Sequence, residues 1–248
     1  MDDNHLWQLY PHDLSLPKNY VHVWRVHLDS STSQFKTLEH SLSSDEIVRA
    51  NRFYFQKDRD RFIVARGMLR LILSRYLYID PGHLRFCYGK YGKPYITTEL
   101  NDSTLCFNMS HSHEFALYAV TWDRPIGIDV EDVSQKVDVQ NISERFFSST
   151  ENKILALIPA ERKQEAFFRL WTRKEAYLKA RGEGLSGQLD QFDTSSFLDL
   201  DSNVVTINDG SIDRSRWAVI DLVPHPNFVG AIVMKGFNLN IEFWEERL

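Results

Sequence analysis

The chain has 248 residues, 43% of them hydrophobic and 25% charged, and a net charge of −5. That length supports a full core in one large domain or two small ones, and the composition is ordinary for a soluble globular protein. Net acidity argues against general nucleic-acid binding. There is no apolar run long enough for a bilayer, and Met1-Asp2-Asp3-Asn4-His5 lacks the features of a secretory signal, so the expectation is no membrane and the cytoplasm.

The first 19 residues hold Pro11 and Pro17 without a clear period and read as an irregular arm. Tyr20 to Leu28 alternates as a strand does. Ser43 with Glu46 makes a capping box that opens a helix through about Phe53. A longer helix is expected over Asp58 to Tyr78, with Phe62, Leu69 and Leu73 inward, ended by Pro81-Gly82. Between Arg49 and Arg75 eight basic residues face two acids, a local +6 that leaves −11 over the remainder. Such a cluster suits a small polyanion such as a nucleotide, although composition supports a solvated helix face equally well.

Leu84 to Tyr88 reads as a strand, followed by the turn Gly89-Lys90-Tyr91-Gly92-Lys93-Pro94 with its two lysines. Cys106 to Met109 and Phe115 to Thr121 are two further strands, joined by Ser110 to Glu114. Cys87 and Cys106 have no metal or redox spacing and read as reduced core residues. After Asp123-Arg124-Pro125 the order repeats. Ile126 to Glu131 is a strand, Ser148 with Glu151 caps a helix, and Lys163 to Ala180 is a long helix closed by Gly182. Strands are expected at Gln191 to Phe197, Val204 to Ile207, Trp217 to Leu222 and Phe228 to Val233. The predicted class is α+β, in two similar halves, 1–124 and 125–248, related by a pseudo-twofold, each with antiparallel strands on a long helix and a cleft between them.

Three places carry candidate chemistry. Asp129 and Glu131 stand at i and i+2 on a strand, so both point to one side while Ile128 and Val130 point to the other. Two carboxylates backed by a core suit a hard divalent cation such as Mg²⁺, and a polar strand end facing solvent is the plainer alternative. On the long helix, Phe167, Trp171 and Leu178 form a stripe with Lys174 inside it and Glu175 at its edge, and Glu175 lies one turn before Lys179. A surface ion pair is the ordinary meaning of that spacing. Ser110 and His111 at a strand end suit a phosphate, whereas a two-histidine metal site with His113 lacks a nominated third ligand.

Taken together, Gly92-Lys93-Pro94, Phe107-Asn108-Met109-Ser110-His111, Gly127-Ile128-Asp129-Val130-Glu131, Arg145-Phe146-Phe147 and Trp171-(three residues)-Glu175-Ala176-Tyr177-Leu178-Lys179, with Gly182-x-Gly184-Leu185, resemble the 4′-phosphopantetheinyl transferases of the larger, surfactin-synthetase-activating type. Order and spacing agree from about Ser43 to Leu185. The resemblance implies transfer of phosphopantetheine from coenzyme A to a serine of an acyl or peptidyl carrier protein of fatty acid, polyketide or peptide synthesis, by a monomer. It also implies Mg²⁺, with Mn²⁺ as a substitute, on Asp129, Glu131 and Glu175. Lys93, Ser110 and His111 would meet coenzyme A phosphates, with Lys174 and Lys179 beside the reacting pyrophosphate. Arg49 and Arg66 would grip the nucleotide end, with Arg52 and Arg85 as further candidates. Glu175 is the expected base, Glu131 the competing one, and Lys179 the stabiliser of the leaving group. Some relatives carry a basic residue where Glu46 stands, which puts the grip on coenzyme A in question. A Mg²⁺-dependent phosphoanhydride hydrolase and a non-catalytic coenzyme A binding module are the rival readings.

Overall fold

The computed structural model describes residues 7–29, 32–100, 104–184, 189–194, 205–206, 217–236 and 239–246. In chain order these form β1 (Gln8–Leu9), β2 (Tyr20–His27), α1 (Thr32–Ser41), α2 (Ser44–Ala50), α3 (Gln56–Leu77), β3 (Phe86–Tyr88) and β4 (Pro94–Ile96). There follow β5 (Leu105–Ser112), β6 (Phe115–Trp122), β7 (Ile126–Asp132), α4 (Val139–Phe146), α5 (Ser149–Leu157), α6 (Ala160–Arg181), β8 (Val205–Thr206), β9 (Trp217–His225), β10 (Phe228–Lys235) and β11 (Asn240–Glu246). The class is α+β, as the sequence leads one to expect.

A five-stranded sheet runs β1-β11-β2-β6-β5, and a four-stranded sheet runs β7-β10-β9-β8. Side-chain alternation decides how they stack, because each strand presents its odd and even residues to opposite faces. Trp24, Val26, Tyr118 and Val120 meet Val64, Met68, Leu69 and Ile72 of α3 on one face of the first sheet. On its other face Val21, Val23, Leu117 and Ala119 pack against Ile128, Val130, Ile232 and Met234 of the second sheet. The outer face of that second sheet is covered by α6, through Ala176, Tyr177 and Ala180 against Val219, Ala231 and Val233. The layers are thus helix, sheet, sheet, helix, and the inner sheet faces are apolar because both are buried.

Strand β11 lies parallel to β2 and between it and β1, so the first sheet draws on both ends of the chain. Several boundaries differ from the sequence reading. The polar stretch after β2 holds α1, α2 stops at Ala50 rather than Phe53, and α3 closes at Tyr78, whose left-handed φ of 55° does the work expected of Pro81-Gly82. Strand β5 continues through Ser112, leaving His113 and Glu114 as the turn before β6. Around the expected strand at Gln191 to Phe197 the chain forms a short 3₁₀ turn at Leu189–Gln191, and residues 195–197 lie outside the described set. Both capping boxes are formed, with the Glu46 and Glu151 carboxylates accepting from the amides of Ser43 and Ser148. Gly182 caps α6 in the left-handed region, at φ 72°.

The position of α6 is set by one glycine. A Cβ at Gly127 would stand 2.0 Å from the carbonyl oxygen of Ala176 and 2.4 Å from the amide of Ala180. Helix backbone therefore rests directly on β7, and no side chain fits between them. Gly127→Ala should destabilise the fold by on the order of 3 kcal/mol or more, since neither backbone can yield locally. Urea unfolding measures this, and an unchanged midpoint would show that α6 does not touch β7.

Candidate active site

With α6 pressed on β7, the residues flanking Gly127 on the same face, Asp129 and Glu131, look toward the helix surface that carries Glu175 and Lys179. Beside β7 runs β5, the edge of the other sheet, and the two are joined by side chains. Asn108 Oδ1 accepts from the amide of Ile128 at 2.8 Å, Ser110 Oγ donates to Asp129 Oδ1 at 2.8 Å, and Ser112 Oγ donates to Glu131 Oε2 at 3.0 Å. Asn108, Ser110 and Ser112, alternate residues of β5, thus fasten β7, and the two serines orient its acids. Lys179 Nζ completes the cluster, donating to Asp129 Oδ1 at 2.6 Å and to Ser110 Oγ at 2.9 Å. Its partner is Asp129 and not Glu175, so the ordinary helix-surface ion pair is not what forms.

Crowding acids in a half-buried place raises their pKa values. The Glu175 carboxyl is pushed up to about 7, by burial first and then by the Asp129 charge, with Lys179 opposing and Glu131 adding. Glu131 is also pushed up to about 7, by burial and then Asp129, against the Ser112 hydrogen bond and Lys179. Two carboxylate oxygens, Asp129 Oδ2 and Glu175 Oε1, are buried without a hydrogen-bond partner. Orphaned, mutually repelling oxygens are donors a hard cation satisfies, so the residues present fit Mg²⁺ in chemistry. Among the described residues no three His, Cys, Asp or Glu side chains form a ready-made metal cage, and Lys179 sits where it partly neutralises Asp129.

The other predicted residues divide. Ser110 is in the cluster, and exposed His111 follows it on β5, its imidazole held below the usual range by partial burial and then by the charges of Lys179, Arg49 and Arg61. Arg49 is exposed, with its guanidinium over the Phe62 ring. Lys93 donates to the backbone carbonyls of Ile126 at 2.9 Å and Lys179 at 2.6 Å, and it lines a cavity of about 510 Å³ together with Tyr95, Cys106, Arg124 and Arg181. Burial lowers its ammonium to about 8.

Lys174 needs correction. It was expected in the cleft, but its fully buried ammonium spends its three donors on Glu151 Oε2 at 2.7 Å and the carbonyls of Leu189 at 2.6 Å and Phe192 at 2.8 Å, leaving none for a phosphate. Glu151 in turn accepts from the amide and hydroxyl of Thr194, both at 2.8 Å. Arg66 is likewise occupied, by Glu46 and by the Tyr88 hydroxyl at 2.7 Å. Arg70 takes the other Glu46 oxygen at 2.7 Å, so the unusual acid at 46 is a buried counter-charge to two arginines and presents nothing to an anion. Asn108 and Ser112 gain their roles only in the structure, and the signal for them in the sequence is the i, i+2 spacing with Ser110 along an apolar strand. Glu151 is marked in the sequence as a helix cap, and nothing local reveals its partner Lys174.

Two measurements follow from these environments. Between the ordinary glutamate range and about 7, the folded chain binds protons that the unfolded chain has lost, so Glu131 and Glu175 make stability fall as pH rises from about 4.5 to 7. Buried His22, lowered to about 4, slopes the opposite way over part of that window, so the comparison is made against Glu131→Gln. With chelator present, the stability of that variant relative to the unsubstituted chain should rise by about 1–2 kcal/mol between pH 5 and pH 7.5, after allowance for solvent screening; an identical pH dependence in both proteins would refute the raised carboxyl. For the buried pair, Lys174→Met should cost about 3–5 kcal/mol in chemical unfolding, and adding Glu151→Gln should restore part of it by removing the stranded charge. Strictly additive losses would contradict the coupling.

Residues 125–233 match the family model described as the 4′-phosphopantetheinyl transferase superfamily, and residues 27–123 match the model described as 4′-phosphopantetheinyl transferase, N-terminal. The chain is 41% identical to 4′-phosphopantetheinyl transferase HetI of Nostoc sp. over 97% of its length and 98% of the relative's. It is 30% identical to a 4′-phosphopantetheinyl transferase of Bacillus subtilis over 87% of its own length and 97% of that chain. With 4′-phosphopantetheinyl transferase Sfp of Bacillus subtilis it shares 33% identity over 68% of this chain and 74% of the relative.

Proposed function

Because this chain belongs to the 4′-phosphopantetheinyl transferase superfamily, we propose that its carboxylate cluster moves the 4′-phosphopantetheine group of coenzyme A onto a serine of an apo acyl or peptidyl carrier protein, releasing adenosine 3′,5′-bisphosphate. The observation that carries this reading is the convergence of Asp129 and Glu131 from β7 with Glu175 and Lys179 from α6, held by hydroxyls of β5.

Bound by Asp129, Glu131 and Glu175, Mg²⁺ would supply charge neutralisation for the pyrophosphate. The chain's own groups do the remainder. Glu175, which α6 brings beside Asp129 and Glu131, is proposed to take the proton of the carrier serine, directly or through water, as the serine oxygen bonds to the phosphorus bearing pantetheine. Glu131 is the alternative base. The bond from that phosphorus to the adenosine bisphosphate breaks, and Lys179, beside the cluster, is placed to balance the charge on the departing phosphate. Ser110 and His111 are proposed to hold phosphate oxygens, and Arg49 the nucleotide end. Lys93 and Arg66 are proposed to shape the nucleotide side from behind, since each is tied to protein acceptors. We assign coenzyme A binding to the half before residue 125 and the acids and catalytic helix to the half after it, the chain acting as a monomer. Among the described residues no helix is long and apolar enough to cross a membrane.

Incubation with Mg²⁺, coenzyme A and a panel of apo carrier domains should make a carrier heavier by one phosphopantetheine in intact mass, with release of one adenosine bisphosphate per carrier. Glu175→Gln should reduce transfer at least about 10²-fold while keeping the fold. Turnover of coenzyme A without an acceptor would favour the hydrolase instead, and binding without either product would favour the non-catalytic module.

A further inference from the structure

The Lys93 ammonium donates two of its three hydrogens to the carbonyls of Ile126 at 2.9 Å and Lys179 at 2.6 Å. Among the described residues the third meets no oxygen or nitrogen acceptor, and the centroid of the Tyr95 ring lies 5.7 Å from the nitrogen. The side chain is half-buried and forms part of the wall of the cavity of about 510 Å³. That volume is within the range of small-molecule sites, roughly 300–1,000 Å³. The cavity is set apart from the acids. Its residues on β5, Leu105 to Phe107, come roughly 10–17 Å before Ser110 at the rise of a strand, and Ile126 on β7 comes about 10 Å before Asp129. On α6 it takes in Ala180 and Arg181, beyond Lys179, so Lys93 stands between the cavity and the helix turn that carries Lys179.

Lys93, Arg124 and Arg181 line this space against a single acid, Asp123. That acid is engaged elsewhere, accepting from the Thr104 hydroxyl and pairing with Lys18 at 3.7 Å. Arg181 is held by Glu183 at 2.6 Å. Arg124 reaches only the carbonyls of Trp122 at 3.4 Å and Lys18 at 3.3 Å, both long contacts, and has no acidic partner among the described residues. Lys93 and Arg124 are therefore a positive surplus in a wall made largely of Ile96, Leu105, Phe107, Pro125 and Ile126, on a chain whose net charge is −5.

We propose that this cavity binds a small monocarboxylate with an apolar body, of the kind of a medium-chain fatty acid, its headgroup on Lys93 and Arg124 and its hydrocarbon against Ile96, Leu105 and Phe107. The chemistry of the wall selects the class. An uncharged apolar occupant would desolvate two cations and give them no partner. A phosphate brings three oxygens to a wall whose cations offer the one remaining hydrogen of Lys93 and the fork of Arg124, whereas the two oxygens of a carboxylate match those two donors. Binding here is independent of the transferase reading.

The two thiols report occupancy without an activity assay, because Cys106 stands in the cavity wall and exposed Cys87 does not. With the full chain and iodoacetamide in excess over all thiols, millimolar octanoate should slow alkylation of Cys106 at least fivefold in peptide mass mapping, with Cys87 unchanged within twofold. Octanol and inorganic phosphate should protect neither. Arg124→Gln should weaken the protection at least tenfold, and Thr98→Trp, which puts a large side chain at an exposed position of the lining, should abolish it. Circular dichroism checks that both variants fold. Coenzyme A with Mg²⁺ should leave the effect of octanoate in place. Protection by octanol equal to that by octanoate would make the cavity an apolar void, stronger protection by octyl phosphate would assign it to phosphates, and displacement of octanoate by coenzyme A would make it part of the nucleotide site. Each of these overturns the proposal, as does octanoate that leaves Cys106 unprotected or protection that survives both substitutions.

Discussion

The cluster depends on how two sheet edges are joined. Strands β5 and β7 belong to different sheets, and their junction is made by Asn108, Ser110 and Ser112 reaching across to an amide and two carboxylates. Side chains in this role do two things together. They satisfy polar groups at a buried boundary, and they fix the direction of Asp129 and Glu131 relative to α6. Fastening of the fold and orientation of the acids are thus one set of hydrogen bonds, and loosening the junction would misdirect the acids before it exposed any core.

Gathering three acids in a half-buried place is unfavourable, and the raised carboxyls of Glu131 and Glu175 are the sign of it. The surrounding structure holds them there regardless. Helix α6 cannot slide, because its backbone rests on Gly127, and its rotation is fixed from the far side by Arg173 on Asp221 and by Lys174 on Glu151. These two basic residues immediately precede Glu175, so the helix is clamped one residue away from the proposed base. A clamp with three satisfied donors on a buried ammonium is stable only as a unit, which makes it a strong determinant of position and a weak source of net stability.

Much of this was legible in the residues, for identifiable reasons. Strand alternation put Asp129 and Glu131 on one side of β7, and both capping boxes declared themselves through Ser-x-x-Glu. Lys174 misled because an apolar stripe containing a cation has two meanings, a cleft or a buried pair, and the pair requires Glu151, 23 positions earlier in sequence. Glu46 was legible as a cap but not as the counter-charge of Arg66 and Arg70, since only the packing of α2 against α3 brings them together. The polar stretch that became α1, and the return of β11 to the first sheet, are tertiary choices that local pattern does not encode. Two 22-residue helices, α3 and α6, each cover one sheet, and β11 crosses from the later part of the chain into the first sheet.

The central proposal is that Asp129, Glu131 and Glu175 share one divalent cation with the pyrophosphate of coenzyme A. Crystals grown with coenzyme A and Mn²⁺, measured at the manganese absorption edge, address it without any assay. One anomalous peak at coordination distance from all three carboxylates and the pyrophosphate, with Lys179 turned away from Asp129, is the predicted result. A peak away from those side chains, or Lys179 still closed on Asp129 with substrate bound, would contradict it.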